Sequence, residues 1–367
     1  MLEQFHVKEE DAVRVRENDL RTTVTNVFEK MNVSTGDARL AADALVTADL
    51  RGVESHGVSN MLRAYVAGYN SGEINPNPNW RIVRQTAATA NIDSDGGLGI
   101  IIGPKSMEIA IEKARNVGVG MVTISNGRHM GMASYHAMMA LKHDMIGISM
   151  TGCPPSVLPT FGAETRVGTN PIAVAAPAKD EPPFVYDAAT SVVAGNKIGL
   201  ASRLGVDLAP GWVADEDGTP LMDPVPIPPG WTPGMPRNNP LLPLGSTRES
   251  GSHKGYGLAC VVDILSGILS GTGFGMVPGR PNFSHFVGAY SIEAFTEVDT
   301  FKSLMDDFLR SLRNTPPAPG HDRVVYAGLP EAETFQDRSV NGIPLHKEVV
   351  QWFQDICNEM SIPYILS

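Results

Sequence analysis

The sequence has few cysteines and little positive charge. Its 367 residues include three cysteines, Cys153, Cys260 and Cys357, which lie far apart and form no Cys-x-x-Cys pattern. Isolated cysteines in odd number argue against a disulfide framework or a zinc site. The 29 lysines and arginines are outnumbered by 40 acidic residues, which gives a net charge of −11. This balance argues against nucleic acid or anionic lipid as a partner and predicts a small-molecule ligand.

Long apolar runs are also missing. The first 18 residues alternate charged and isolated apolar side chains, unlike a signal peptide. The most apolar segment, residues 257–276, is interrupted by Asp263 and by several glycines and serines. Its apolar positions lie largely on one helical face, which is typical of a buried helix and not of a membrane span. We therefore expect a cytoplasmic protein without a membrane segment, and the length predicts two or three domains.

Hydrophobic periodicity predicts a helical N-terminal region followed by alternating helices and strands. Two helices are expected between residues 19 and 50, separated by a turn at 34–37, and a third helix carries Met61 to Tyr69. Further strands are predicted near residues 82–83, 89–93, 119–125, 146–151, 172–176, 184–187 and 286–292. Further helices are predicted at 107–118, 131–143, 254–270, 301–312 and 346–360. Eight prolines within residues 223–243 predict a long surface insertion.

No dinucleotide fingerprint accompanies this α/β pattern. Gly118 and Gly120 precede a predicted strand, and Gly271, Gly273 and Gly275 follow a predicted helix, whereas a Rossmann turn lies between a strand and a helix. The P-loop, the HExxH zinc pattern and the GxSxG nucleophile elbow are absent as well. A bound nucleotide would therefore need a different cradle.

Two histidines lie in glycine-flanked contexts suited to proton transfer. His56, in Ser55-His56-Gly57, begins the third helix; it either faces a cleft or is a surface histidine beside a helix cap. His129, in Asn126-Gly-Arg-His-Met-Gly131, follows a predicted strand; it is either functional or a structural partner of its loop. His136 lies inside a predicted helix, where ordinary packing is expected.

Three loops could bind a nucleotide. Gly168-Thr169-Asn170 and Asp187-Ala-Ala-Thr190-Ser191 offer hydroxyl, amide and backbone N–H groups at strand ends, although plain turns would use the same residues. His253-Lys254-Gly255 begins a predicted helix, where it is either an anion site or a helix start with a solvated lysine.

These motifs, in this order, resemble the type-2 malate/L-lactate dehydrogenase family. The family includes ureidoglycolate, sulfolactate and diketogulonate enzymes and piperideine-2-carboxylate reductases. The matching stretches are Ala48-Asp-Leu-Arg-Gly-Val-Glu-Ser-His-Gly57, Ser125-Asn-Gly-Arg-His-Met-Gly131, Gly168-Thr-Asn-Pro171, Asp187-Ala-Ala-Thr-Ser191, Pro210-Gly-Trp-Val-Ala-Asp215 and His253-Lys-Gly-Tyr-Gly257.

The resemblance implies hydride transfer between NAD or NADP and C2 of a 2-hydroxy or 2-oxo acid, in a homodimer. It implies an α/β (α+β) fold whose mixed-sheet nicotinamide domain is not a Rossmann fold. We expect residues 1–80 with about 301–367 to form a helical region for substrate and dimerisation. Residues 81–300, with the Pro-rich insertion at 223–243, would form the cofactor region.

The resemblance also implies roles for individual residues. His56 and His129 match catalytic histidines, and either could move the proton. Ser55 matches a substrate position. Lys254 and the strand-end loops match cofactor positions. The expected cofactor residues are Thr151, Cys153, Gly168, Thr169, Asn170, Asp187, Thr190, Ser191, His253, Lys254, Gly255, Ala327, Gly328 and Leu329.

Two departures from the family pattern affect ligand binding. Asn60 stands where the family has an arginine that clamps the substrate carboxylate. Arg63 lies one turn further on and could replace it, and Tyr65 is shifted by one position. Ala327-Gly328-Leu329 stands in place of a cofactor-binding Pro-Gly-Glu, so the choice between NAD and NADP stays open. The alternatives are a reductase of a cyclic imino acid and a non-catalytic cofactor-binding homologue.

Overall fold

The computed structural model describes residues 5–227, 239–279 and 283–366. Within these ranges the α-helices are α1 (Glu17–Lys30), α2 (Thr35–Leu50), α3 (Val58–Asn70), α4 (Gly99–Val117), α5 (Ala133–Met138), α6 (Asn196–Leu204), α7 (Ser252–Asp263), α8 (Val298–Arg313), α9 (Leu329–Asn341) and α10 (Lys347–Glu359). The strands are β1 (Ala12–Val15), β2 (Arg81–Gln85), β3 (Thr89–Asp93), β4 (Val119–Gly127), β5 (Met145–Gly152), β6 (Ile172–Ala176), β7 (Phe184–Ala188), β8 (Phe283–Ser291) and β9 (Ile343–His346).

A seven-stranded mixed sheet organises the described chain, in the order β2-β3-β4-β8-β5-β6-β7. Only β3 and β4 are parallel; the other neighbouring strands run antiparallel. Strand β8, late in the sequence, pairs with both β4 and β5 at the centre. A Rossmann sheet is mostly parallel, so the predicted α/β fold with a non-Rossmann mixed sheet is confirmed.

The N-terminal helices and the sheet share one hydrophobic core. Leu20 of α1, Leu45 of α2 and Leu62 of α3 belong to the same buried cluster as Ile92 and Val122 of the sheet. The helical pattern at residues 19–70 therefore predicted both the elements and their buried faces. Because the core is continuous, the division of the chain into two regions stays a prediction.

Helix α8 lies at the β7 edge of the sheet. Its Leu309 packs against Tyr326 and Leu329, with Phe184 of β7 beside them. The buried carboxylate of Asp306 accepts hydrogen bonds from the backbone N–H groups of residues 179–181. The segment after residue 301 thus contacts the sheet region as well as the N-terminal helices.

Strands β1 and β9 join the two ends of the described chain. They pair antiparallel, with Ala12 opposite His346 and Val15 opposite Ile343. The sequence did not predict either strand, since four residues are too few to show a period. Helices α6 and α9 were not predicted either.

Two predicted helices have different bounds in the structure. The helix expected at 131–143 is the short α5, followed by a 3-10 turn at Leu141–His143. Asp144, with φ of 53°, then turns the chain directly into β5. The helix expected at 254–270 is α7 followed by a π-helical segment, Ile264–Ile268.

The Pro-rich segment is described only at its two ends. Within these ends, Val225 forms an isolated β-bridge with Leu208, and Leu241 forms one with Val157. Residues 223–227 and 239–243 form no helix or longer strand. The prolines at 228–238 lie outside the described residues. Over the described part of the chain, every helix is too short or too polar to cross a bilayer.

Candidate active site

A tightly packed turn places His56 between α2 and α3. It is the last residue of a 3-10 turn, Glu54–His56. Arg338 of α9 forms a buried ion pair with Glu54 at 2.6 Å, and Asp49 accepts the N–H of Val58 at 2.7 Å, so that it caps α3. Burial raises the pKa of Asp49 to about 8.

Gly57 is required where it stands. A Cβ on this residue would lie 2.1 Å from Oδ1 of Asp49, far inside van der Waals contact. The glycine after His56 therefore lets the helix cap and the histidine turn lie against each other. This contact explains the glycine of the Ser-His-Gly motif without reference to catalysis.

The structure brings the two predicted catalytic histidines together. His129 lies in the loop after β4, and its ring stacks on that of His56 with centroids 5.7 Å apart and planes 13° apart. The ring of Phe283, the first residue of β8, packs nearly perpendicular to the His129 ring, with centroids 5.6 Å apart. Both imidazoles are half-buried. A stacked pair leaves ring nitrogens of both residues able to reach one substrate oxygen.

Hydrogen bonds give the two rings different chemistry. Nδ1 of His129 accepts the Gly131 N–H at 3.2 Å and lies 2.7 Å from the Tyr65 hydroxyl. Because a backbone N–H can only donate, the proton of neutral His129 belongs on Nε2. Nδ1 of His56 lies 2.9 Å from Oγ of Ser55, which can donate or accept. Nε2 of His56 can therefore be unprotonated, as a base requires.

Burial keeps both histidines neutral near pH 7. It lowers the pKa of His56 to about 4, and the positive charge of Lys197 acts in the same direction. It lowers the pKa of His129 to about 3, with smaller contributions from His56 and His285. A neutral His56 can accept a proton from a substrate hydroxyl.

The other predicted substrate residues divide into two pairs. Ser55 and Tyr65 contact the histidines directly. Asn60 donates to the Asn196 carbonyl at 3.2 Å and accepts from Arg203 at 3.0 Å. Arg63 forms an ion pair with Glu348 at 2.5 Å and stacks on Trp352. Asn60 and Arg63 are thus both engaged with other parts of the protein.

Most predicted cofactor residues meet where β5, β6 and β7 begin or end. The amide oxygen of Asn170 accepts the Cys153 N–H at 2.8 Å, and the Thr190 N–H donates to the Thr169 carbonyl at 2.9 Å. A Cβ on Gly168 would lie 2.5 Å from Cβ of Cys153. The adjacent Ser191 hydroxyl donates to the Val193 carbonyl.

Thr151 connects this loop group with the histidine pair. Its hydroxyl lies 3.1 Å from Nδ1 of His285, and the His285 ring stacks on Phe283, which in turn contacts His129. The predicted cofactor loops and the predicted catalytic residues are therefore linked by a chain of direct contacts.

The remaining cofactor candidates lie at two helix starts. Gly328, with φ of 97°, precedes α9, and the Ala327 carbonyl accepts the Val185 N–H of β7. Leu329 is buried, and Asp187 accepts the Ser134 N–H at 2.7 Å. At the start of α7, Gly255 is buried and His253 and Lys254 are exposed.

Sequence reasoning missed two cations. Arg51 is 8% exposed, and its Nε and Nη2 find no hydrogen-bond partner among the described residues. Burial lowers its pKa, while the carboxylates of Glu331 and Asp187 act in the opposite direction. Lys197 is the second residue of α6. Arg51 lies inside the motif that contains His56, but no local pattern marks Lys197.

Comparison with known proteins gives one consistent result. The family model described as malate/L-lactate dehydrogenase matches residues 15–354. The chain is 39% identical to a malate dehydrogenase of Pyrococcus abyssi over 99% of both chains. It is 35% identical to an L-sulfolactate dehydrogenase of Methanocaldococcus jannaschii, covering 92% of this chain and 95% of the relative. The solved structure of a malate dehydrogenase from Pyrococcus horikoshii has a TM-score of 0.86 at 37% identity, covering 98% and 99%.

Proposed function

The chain belongs to the malate/L-lactate dehydrogenase family, and on that premise we propose that it oxidises a 2-hydroxy acid, and reduces the 2-oxo acid, with NAD or NADP. The observation that carries this proposal is the stacked pair of neutral histidines, His56 and His129. Oxidation at C2 requires a base for the hydroxyl proton and a donor for the same oxygen, and the two rings offer one of each.

A nicotinamide cofactor, when bound, supplies the hydride acceptor or donor. The residues that would hold it are the strand-end loops around Thr151, residues 168–170 and residues 187–191, with the starts of α7 and α9. The unpartnered guanidinium nitrogens of Arg51 fit such a ligand, because a phosphate oxygen would supply the hydrogen bonds that they lack.

We assign the proton to His56 and the supporting hydrogen bond to His129. In oxidation, Nε2 of His56 takes the C2 hydroxyl proton while the C2 hydrogen leaves with its electron pair. Nδ1 of His56 carries the proton of the neutral ring throughout, and this Nδ1–H donates to Oγ of Ser55, 2.9 Å away. Nε2–H of His129 donates to the same substrate oxygen, and Tyr65 holds the His129 ring in place. Reduction reverses these steps.

We propose that the protein is a homodimer in which a second copy of the chain covers an apolar face of α7. Exposed apolar residues continue from this helix through the π-helical segment at a spacing of three to four, namely Leu258, Val261, Ile264 and Ile268, and Leu269 follows directly. Such a contiguous face is unfavourable in water, which supports a homodimer. Light scattering should give twice the chain mass, and Ile268→Asp should lower it toward the monomer. A monomeric wild-type protein would contradict the dimer.

A substrate screen tests the proposed reaction. Purified protein is offered L-malate, L-lactate, L-sulfolactate and piperideine-2-carboxylate with each nicotinamide cofactor, and reduced nicotinamide is followed by its near-ultraviolet absorbance. Turnover of a 2-hydroxy acid is expected. Turnover of the cyclic imine alone would favour the imine reductase, and cofactor binding without any turnover would favour a non-catalytic homologue.

A further inference from the structure

The residues expected to bind the substrate carboxylate are already engaged. Arg203 donates to Oδ1 of Asn60 at 3.0 Å and to the carbonyl of Ser59 at 2.9 Å. Its Nε lies 3.0 Å from Glu348, which also pairs with Arg63. These two arginines and Glu348 therefore form one ion-pair network. A substrate anion bound there would have to compete with Glu348.

Lys197 lies next to the turn that carries His56, and its charge acts on the His56 imidazole. Its neighbour Asn196 begins α6, and the Asn196 amide donates to the Ser55 carbonyl at 3.1 Å. The Asn196 carbonyl accepts from Asn60 at 3.2 Å. These two bonds hold the first turn of α6 against the Ser-His-Gly turn. They also bring the backbone of Lys197 close to His56.

The Lys197 side chain has no counter-ion in the described chain. It is half-buried, and its ammonium group makes no ion pair or hydrogen bond with any residue of the ranges that the structure covers. Burial lowers its own pKa, and its charge contributes to the low pKa of the His56 imidazole. A partly desolvated cation without an anion is unfavourable, so an arriving carboxylate would be stabilised there.

We propose that Lys197 binds the C1 carboxylate of the substrate, in place of the arginine that is absent at position 60. The proposal rests on the hydroxy acid dehydrogenase function above. C1 is bonded to C2, so an ammonium group beside His56 would hold the C2 oxygen within reach of the imidazole. A lysine is a point charge and lacks the planar fork of arginine, so this site selects the charge more than the shape of the acid group.

Kinetics on an acid and its amide test this assignment. The substrate is L-malate or L-sulfolactate, whichever the wild-type enzyme oxidises faster, together with its C1 monoamide. Lys197→Met should raise the KM for the acid about 10- to 100-fold, the usual range for loss of a charge-assisted hydrogen bond. The kcat should change much less. The preference for acid over amide should fall by a similar factor.

Two further variants and one binding measurement make the test specific. Lys197→Arg should recover part of the KM and of the acid preference, whereas Lys30→Met, at an exposed position on α1, should change neither. Calorimetric binding of the acid to the complex with reduced cofactor should weaken in Lys197→Met by the same factor as KM. Cofactor affinity should stay within about two-fold of the wild-type value. If Lys197→Met does not fold, Lys197→Gln replaces it.

The outcomes separate this inference from the proposed function. An active wild-type enzyme whose Lys197→Met variant keeps the KM, the acid preference and the calorimetric affinity would overturn the role of Lys197 alone. A wild-type enzyme that binds cofactor but oxidises no 2-hydroxy acid would overturn the proposed function, and this inference with it.

Discussion

Replacing His56 and His129 by alanine, one at a time, should distinguish their roles. His56→Ala removes the proposed base, and His129→Ala removes the proposed hydrogen-bond donor. The rings are 5.7 Å apart and stacked, so each variant leaves the neighbouring ring in place. The two variants therefore remove the same side chain from neighbouring positions of one stacked pair.

The expected losses follow from the chemistry of each ring. A positioned base contributes about 10²–10⁴-fold to the rate, so His56→Ala should lower kcat for hydroxy acid oxidation by that factor. Loss of one hydrogen-bond donor to developing charge costs about 10²–10³-fold, which is the expectation for His129→Ala. The magnitudes overlap, and the pH dependence must therefore distinguish the two residues.

The pH profile of kcat/KM reports the free enzyme. His56 must be neutral to accept a proton, and its pKa is lowered from 6.5 to about 4 by burial and by Lys197. Wild-type kcat/KM for oxidation should therefore be level near pH 7 and fall as the pH approaches 4. His129→Ala should keep this fall, and His56→Ala should lose it. The circular dichroism of the enzyme should be the same at pH 4 and pH 7, which excludes acid unfolding as the cause of the fall.

The opposite result would refute the assignment. If His56→Ala keeps both kcat and the acidic fall while His129→Ala loses them, His129 is the base and its Nδ1 contacts are rearranged during turnover. Circular dichroism and cofactor affinity, unchanged in both variants, serve as the control for folding.

Three smaller predictions follow from single contacts. Tyr65→Phe removes the 2.7 Å hydrogen bond to His129. In steady-state assays it should lower kcat about 10-fold with little change in KM. An unchanged kcat would show that this hydrogen bond does not position the His129 ring. Gly57→Ala introduces a Cβ that would lie 2.1 Å from Asp49, and it should lower the free energy of unfolding in urea by about 1–3 kcal/mol. His136 is fully buried, with its pKa lowered from 6.5 to about 4. The unfolded chain therefore takes up this proton first as the pH falls below 6.5, and the free energy of unfolding should decrease by about 3 kcal/mol at pH 4. A His136→Asn variant with the same pH slope as wild type would contradict that contribution.

Local patterns predicted the elements whose apolar residues recur at regular spacing. Helices α1 to α4 have apolar residues at regular spacing, and these residues became the shared core. The pairing of β1 with β9 could not be predicted, because each strand is four residues long and its partner lies at the opposite end of the chain. The centre of the sheet depends in the same way on β8, which inserts between β4 and β5.

In the active site, too, local patterns predicted some features and contacts between distant segments determined the others. Residue type and glycine spacing singled out His56 and His129, because proton transfer requires imidazole and close turns require glycine. Their stacking, the neutral state of each ring and the hydrogen bonds of Asn60 and Arg63 depend on packing between distant segments. The cofactor role of residues 327–329 stays a prediction.

The sequence by itself determined the family, the helical and strand segments with strong periodicity, and the chemical groups available for catalysis. Only the tertiary structure decided which of those groups meet. It also showed that Arg51 has buried nitrogens without a hydrogen-bond partner in the described chain and that the charge of Lys197 acts on His56. The physical reason is that the charge state and the partners of a side chain depend on burial and on the neighbours that folding brings together. Those neighbours come from distant segments, so one stretch of sequence does not reveal them.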